Sequence, residues 1–138
     1  MTSPLRFVDT VFPITWKMLA NASLADQAFF VCPAGFRYEV VAIAEVHSVL
    51  GTDAGAVSLQ VTKDTSTDVP GGGTDLLTNG AGAGFNLKAA INVPQAGTLS
   101  TVSGVLQMKS GDRLSVDFAG TLTAVAGVVV TVLLRRTQ

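Results

Sequence analysis

The segment from Lys63 to Leu87, KDTSTDVPGGGTDLLTNGAGAGFNL, contains residue types that phosphate-binding and metal-binding loops use. We call its central part, residues 65–84, the glycine loop. A phosphate-binding loop needs a lysine and a Ser or Thr after its last glycine, at the start of a helix. Here PGGGTDLL supplies Thr74 but no lysine, and GAGAGF lacks the third glycine of the dinucleotide-binding spacing. The sequence therefore predicts no phosphate site in this loop.

Metal binding is the second chemistry that this segment suggests. Asp64, Asp68 and Asp75 are hard oxygen ligands of the kind that Ca²⁺ prefers, but the ligand order of an EF-hand is absent. Aspartate is also common in turns because its carboxylate accepts hydrogen bonds from nearby backbone. A zinc site needs three or four ligands, whereas His47 and Cys32 are the only histidine and cysteine. We therefore expect no metal and no other cofactor.

Residues for catalysis are equally sparse. His47 falls on the polar side of a predicted strand, where a surface role is expected, and Cys32 before Pro-Ala-Gly is typical of a small buried residue. No G-x-S-x-G nucleophile elbow occurs. Glu39 and Glu45 are the only glutamates, and six residues along a strand separate them by about 20 Å, too far for a glycosidase pair. The sequence predicts a protein that is not an enzyme.

Length and charge limit the classes of partner. The 138 residues favour one domain. Nine basic and ten acidic residues give a net charge of −1, and no basic cluster exceeds Arg135-Arg136, so we do not expect nucleic-acid binding. The most apolar run, residues 124–134, is shorter than the roughly 20 residues of a spanning helix. We therefore expect no membrane partner, and the valine-rich run predicts a buried strand.

Alternation with period two is the strongest pattern in the chain, and it predicts at least six strands. One face of residues 57–62 carries Val57, Leu59 and Val61, and the other face carries Ser58, Gln60 and Thr62. Leu114, Val116 and Phe118 likewise oppose Arg113, Ser115 and Asp117. In residues 36–47 one face has Phe36, Tyr38, Val40, Ala42, Ala44 and Val46. The other has Arg37, Glu39, Glu45 and His47 but is interrupted by Val41 and Ile43, so a helix is the alternative for residues 40–46 alone. Residues 97–108 predict a further strand, and Gln27–Val31 another.

The last predicted strand, residues 122–134, is apolar on both faces, so it is either central in the fold or covered on its outer side by a partner. Many short strands joined by glycine-rich turns predict an all-β protein with a single β-sandwich. Among sandwich architectures we prefer the jelly-roll type.

The N-terminal residues follow neither period. We therefore divide the chain into an N-terminal arm, residues 1–25, and a β-sandwich domain, residues 26–138. Pro4 and Pro13 oppose a helix in the arm. Its aromatic residues need burial, and large aromatic side chains dominate interface hot spots, so we expect these three to contact a partner: Phe7, Phe12 and Trp16. The alternative is that the arm covers the end of its own sandwich.

Three stretches together resemble one family. They are VCPAGFRYEVVAI from Val31, SLQVTKDTSTDVPGGGTDLLT from Ser58, and KSGDRLSVDFAGTLTAVAGVVVTVLLRR from Lys109. The first motif, V-x-K-D-T-x-T-x-x-P-G-x-G-T-x-L-L, and the second, G-D-R-L-x-x-D-F-x-G-T, are similar to those of tailed-phage head decoration proteins, also called cement or head fibre proteins. The resemblance covers roughly residues 31–135 and leaves the N-terminal arm outside it.

This resemblance implies a β-sandwich module on the outer surface of the virion. Such a module sits on an icosahedral capsid as a homotrimer at local three-fold positions and clamps neighbouring copies of the major capsid protein. It needs no active site. An alternative function of another class is a receptor- or carbohydrate-binding module of a virion fibre. The predicted loops have no Trp or Tyr for stacking on a sugar, which counts against that alternative.

Within the resemblance, the glycine loop has two possible roles. Its glycines allow positive φ angles and a close approach to another backbone. Three large apolar residues either tuck beneath the loop or pin it to a neighbouring subunit, and both alternatives stay open: Leu76, Leu77 and Phe85.

Overall fold

The structure, a computed structural model, describes residues 10–18 and 26–138. Ten β-strands and one short 3₁₀ helix, Asn79–Gly82, lie within these residues. The strands are β1 (Val11–Lys17), β2 (Gln27–Val31), β3 (Tyr38–Val46), β4 (Ser58–Asp64), β5 (Thr74–Asp75), β6 (Phe85–Asn86), β7 (Gln95–Ala96), β8 (Gln107–Met108), β9 (Arg113–Ala119) and β10 (Val129–Arg136). No helix of these residues is long and apolar enough to cross a membrane.

The strands form two antiparallel sheets. Sheet A has the order β1-β10-β3-β7, and β8 pairs with another part of β3. Sheet B has the order β2-β9-β4-β5, and β6 pairs with another part of β4. The prediction of an all-β chain is therefore confirmed. Apolar side chains from both sheets form one core cluster.

Most core residues follow the predicted alternation. On β4 and β9 the predicted apolar faces are buried, with Leu59, Val61, Leu114 and Val116 in the core. Strand β10 lies between β1 and β3, so the first of the two explanations for its apolar character, a central position, is confirmed. The strand begins at Val129 rather than at residue 122, because the Val125 N–H closes a turn on the Leu122 carbonyl and Gly127 has a positive φ.

Strand β3 departs from the prediction through a β-bulge. Leu134 of β10 pairs with Val40 and Leu133 pairs with Ala42, which leaves Val41 as an extra residue. An extra residue reverses the side to which the following side chains point. Tyr38 and Val40 are buried as predicted. The predicted burial of Ala42, Ala44 and Val46 is wrong, since Ile43, Glu45 and His47 are buried instead.

Part of the predicted N-terminal arm belongs to sheet A. Residues 11–17 form β1, which pairs antiparallel with β10 along its whole length. An edge strand tolerates proline because one side of it makes no ladder hydrogen bonds, and Pro13 lies in this edge strand. The rest of the predicted arm, residues 1–9 and 19–25, lies outside the described residues.

The strand predicted over residues 97–108 is mostly absent. Only Gln107–Met108 forms a strand there, and a turn closed by the Val105 N–H and the Val102 carbonyl precedes it. Gly104 in this turn has a φ of 81°, which a continuous strand does not allow.

Candidate functional site

The glycine loop is anchored at the end of β4 by the buried carboxylate of Asp64. Its oxygens accept hydrogen bonds from the N–H groups of Gly71 and Gly73, at 3.3 and 3.0 Å. They also accept from the Thr62 hydroxyl at 2.8 Å and from the Ser115 hydroxyl at 2.5 Å. Four donors therefore surround a carboxylate that the sequence also allowed as a calcium ligand. Its contacts make it the residue that shapes the loop.

A second anchor is the buried side chain of Gln60. Its Nε2 donates to the carbonyl oxygens of Leu77 and Gly82, at 2.9 and 2.8 Å. Its Oε1 accepts from the N–H groups of Leu77 and Val61, at 2.9 and 3.0 Å. An amide side chain has two donors and one oxygen with two lone pairs, so Gln60 uses its whole hydrogen-bonding capacity. It fills the gap on the edge of β4 between β5 and β6, where residues 77–84 leave the sheet.

Two glycines of the loop are required by close backbone contact. A Cβ atom on Gly73 would overlap the carbonyl oxygen of Lys63, and one on Gly84 would overlap that of Leu59. Both carbonyls belong to β4, so the loop lies against this strand as tightly as backbone atoms allow. This supports the close-approach role that the sequence suggests for the glycines.

The structure places the three apolar residues of the loop region in the chain's own core. Leu76, Leu77 and Phe85 are all buried. Of the two alternatives, tucking beneath the loop describes this arrangement. The other predicted role was contact with a partner. These three side chains have almost no accessible surface for such a contact, because side chains of the same molecule cover them.

The two described aromatic residues of the predicted arm pack within the molecule. Trp16 is only 6% exposed, donates from Nε1 to Gln27 Oε1 at 3.2 Å, and has its ring 5.6 Å from that of Phe118. Phe12 is half-buried, with its ring 5.3 Å from that of Tyr38. Phe12 and Trp16 therefore pack against the chain's own sheets, as in the alternative in which the arm covers its own sandwich. Phe7 lies outside the described residues.

Carboxylates also gather on the outer face of sheet B. Burial, together with the negative charges of Asp26 and Asp75, raises the pKa of Asp117 to about 6. Burial also raises the pKa of Asp75. Gly71 lies over this group, since a Cβ there would come within 3.2 Å of Asp117 Cβ. In residues 10–18 and 26–138, no three His, Cys, Asp or Glu side chains are arranged to hold a metal ion.

A buried polar pair lies at the end of β3, where the sequence predicts surface residues. His47 Nδ1 is 2.7 Å from Glu45 Oε1, and Gln95 Nε2 donates to Glu45 Oε2 at 2.8 Å. Burial raises the pKa of Glu45, while the hydrogen bonds from His47 and Gln95 oppose that rise. His47 Nε2 is buried without a partner among the described residues. The expected surface position of His47 is therefore wrong, because the bulge at Val41 turns this end of the strand inward.

The outer face of sheet A has no covering from the described residues. Its central rows, read across β1, β10 and β3, are Pro13-Leu133-Ala42 and Thr15-Thr131-Ala44, followed by Lys17-Val129-Val46. These side chains are half-buried or exposed. At one end, an ion pair between Arg135 and Glu39 borders the face. The face is uncharged in its centre and has charged groups only at its ends.

No protein-family model matches the chain, and no curated protein matches it.

Proposed function

We propose that this protein is a non-catalytic virion component that decorates an icosahedral phage capsid. In this proposal it forms a homotrimer on the outer surface of the capsid, docks onto the major capsid protein and stabilises the shell. The observation that carries the proposal is the outer face of sheet A, which no residue of 10–18 or 26–138 covers. The resemblance of the two sequence motifs to those of head decoration proteins supports the same proposal.

The outer faces of the two sheets differ in a way that favours docking. On sheet B, polar side chains such as Gln60 and Asp64 are buried and hold the chain's own glycine loop. On sheet A, Leu133, Val129 and Val46 keep part of their apolar surface accessible. Contiguous accessible apolar surface marks interaction sites, and in this proposal these three side chains supply part of such a surface. A homotrimer would present three such faces, and several weak contacts on one rigid body give high avidity.

We further propose that the fold is a β-sandwich of the jelly-roll type. The strand orders β1-β10-β3-β7 and β2-β9-β4-β5 support this, because successive strands β1 to β4 alternate between the two sheets. The last two strands, β9 and β10, again alternate and insert between earlier ones. A double-sheet jelly roll produces such an order by folding a long hairpin over on itself.

The test combines mass in solution with capsid binding. We expect the purified chain to be a trimer at micromolar concentration. It should bind empty capsids of its own phage saturably, with a copy number set by the capsid's symmetry. Thr131→Glu places a charge in the centre of the outer face of sheet A and should weaken capsid binding at least tenfold. Thr67→Glu, in the exposed glycine loop, is the matched control and should bind normally.

Three results would overturn the proposal. If the purified chain is strictly monomeric, the proposed trimer is wrong. If Thr131→Glu binds capsids normally, the outer face of sheet A is not the docking surface. Binding to glycans on an array, with no binding to capsids, would favour the receptor- or carbohydrate-binding alternative.

A further inference from the structure

A cavity opens at one end of the molecule, beside the start of β3, the end of β4 and the turn between β8 and β9. Its volume is about 460 Å³, and its lining includes Arg37, Lys63, Lys109 and Asp112. Binding pockets for small ligands and side chains have volumes of this order. They come from three separate segments of the chain, since only Lys109 and Asp112 are close in sequence. Lys63 and Asp112 belong to the two motifs described above, but spacing along the chain does not show that they meet.

The cavity carries uncompensated positive charge. Its lining has three cationic side chains and one carboxylate, although the whole chain has a net charge of −1. Among the described residues, the only ion pairs are Arg135–Glu39 and His47–Glu45, so none of the three cations forms a salt bridge with a described residue. The carboxylate of Asp112 accepts instead from the backbone N–H of Lys109 at 2.9 Å.

Lys63 is the best-positioned of these cations. Its Nζ donates to the carbonyl oxygens of Gly104 and Gln107, at 3.0 and 2.8 Å. An ammonium group has three donors, so one remains for a ligand. Burial lowers the pKa of Lys63, the nearby charge of Asp112 opposes this, and the charge of Lys109 lowers the pKa further. A bound anion would offset the effect of burial, because it favours the charged form of the lysine.

The surroundings of the cavity favour a protein segment over a nucleic acid. The two most exposed large apolar side chains of the described residues are Val69 and Val102, at 69% and 67%. Val102 is in the turn that also contains Gly104, and Val69 follows the turn that starts at the lining residue Thr65. A cationic pocket with apolar neighbours matches a peptide that combines carboxylates and apolar residues. Nucleic acids need an extended basic track instead.

We propose that this cavity binds the carboxylate side chains of an acidic segment of a partner protein. If the proposed function holds, that segment belongs to the major capsid protein. Only this identity of the partner rests on the proposed function. Arg37 and Lys109 provide exposed charged donors, and Lys63 provides a donor that two backbone carbonyls hold in place.

The direct test measures peptide binding by calorimetry. The probe is a capped pentapeptide of alternating glutamate and valine, and its glutamine-valine counterpart is the control. We expect the acidic peptide to bind, and its affinity to fall as salt is raised. The double variant Arg37→Gln, Lys109→Gln should weaken binding at least tenfold without unfolding, because neither side chain has a hydrogen-bond partner among the described residues.

A matched pair of lysines separates binding from stability. Lys88 Nζ also donates to two backbone carbonyls, those of Asp53 and Gly55, but lies away from this cavity. We expect Lys63→Met to weaken peptide binding and Lys88→Met to leave it unchanged. Equal effects of the two variants would overturn the inference, as would no binding of the acidic peptide. Equally tight binding of inorganic phosphate or of a DNA oligonucleotide would also overturn it.

Measuring capsid binding by the same variants tests this inference separately from the proposed function. If the double variant binds capsids as tightly as the wild type, the cavity is not the docking site, although decoration stands. If the wild type binds the acidic peptide but not capsids, decoration fails and the anionic specificity of the cavity stands.

Discussion

The side chain of Gln60 pairs with the backbone of Leu77 in the way that a neighbouring strand would. Its amide donates to the Leu77 carbonyl at 2.9 Å and accepts from the Leu77 N–H at 2.9 Å. The side chain thus continues the edge of sheet B across the gap between β5 and β6. A single residue therefore decides whether the glycine loop can leave the sheet without exposing unpaired backbone.

Replacing Gln60 by glutamate should destabilise the fold. The carboxylate would lose both N–H donors and place negative charge against the carbonyl oxygens of Leu77 and Gly82. We expect the free energy of unfolding in urea to fall by about 3 kcal/mol. Gln107→Glu makes the same chemical change at an exposed residue and should change it by less than about 0.5 kcal/mol. Equal effects of the two changes would contradict the anchoring role of Gln60.

Replacing Gly73 by alanine should also destabilise the fold, because the new Cβ has no room. Gly73 does not have a positive φ, so any loss comes from the overlap of the new Cβ with the Lys63 carbonyl. We expect a decrease of at least about 2 kcal/mol in the free energy of unfolding. Gly35 is the opposite case, because it has a positive φ of 81° but no atom within 4 Å of a new Cβ. We expect Gly35→Ala to lower the free energy of unfolding by only about 1 kcal/mol. If Gly35→Ala is the more harmful variant, the tight contact of the loop with β4 is not important for stability.

The raised pKa of Asp117 predicts a dependence of stability on pH. An unfolded aspartate titrates near its usual value of 3.8, whereas Asp117 in the folded chain keeps its proton up to about pH 6. Between these pH values the folded state binds more protons than the unfolded state, so the free energy of unfolding falls as the pH rises. The stabilisation is present in full below about pH 3.8 and is lost above about pH 6.

Asp117→Asn removes this titration. The stability of the variant relative to the wild type should rise between about pH 4 and pH 6 and stay constant above pH 7. Because Asp117 is only half-buried, screening by solvent should limit the rise to about 1 kcal/mol. Denaturation in urea at a series of pH values measures it. A difference that does not change with pH would mean that burial and the charges of Asp26 and Asp75 do not raise the pKa of Asp117.

The buried pair Glu45 and His47 should behave as one unit. Glu45→Met leaves His47 and Gln95 without their acceptor, and His47→Phe leaves the Glu45 carboxylate with fewer donors. We expect each single change to cost about 3 kcal/mol. The double variant should cost less than the sum of the two by at least about 1 kcal/mol, because it leaves neither partner unpaired. Strict additivity would show that the pair is not energetically coupled.

The sequence by itself determined the class of the fold and much of its core. Alternation in β4 and β9 identified both their inward apolar faces, since period two is a local property of a strand. The doubly apolar pattern of β10 similarly allowed its central position. A local pattern for β1 was present but was missed, because Pro13 and the short length of the run obscured it. Phe12, Ile14 and Trp16 alternate with more exposed residues, as in a strand with one buried face. That strand exists because β10 provides an edge with which it pairs.

Only the tertiary structure decided which polar residues are buried and which meet in space. The bulge at Val41 turns His47 from a predicted surface residue into a buried one, since one extra residue reverses all the side chains that follow. Asp64 and Gln60 alternate like solvent-facing residues, and the return of the glycine loop covers them and supplies part of their hydrogen bonds. Arg37, Lys63 and Lys109 are brought around one cavity by three different elements. Such proximities come from long-range pairing of strands, which spacing along the chain does not encode.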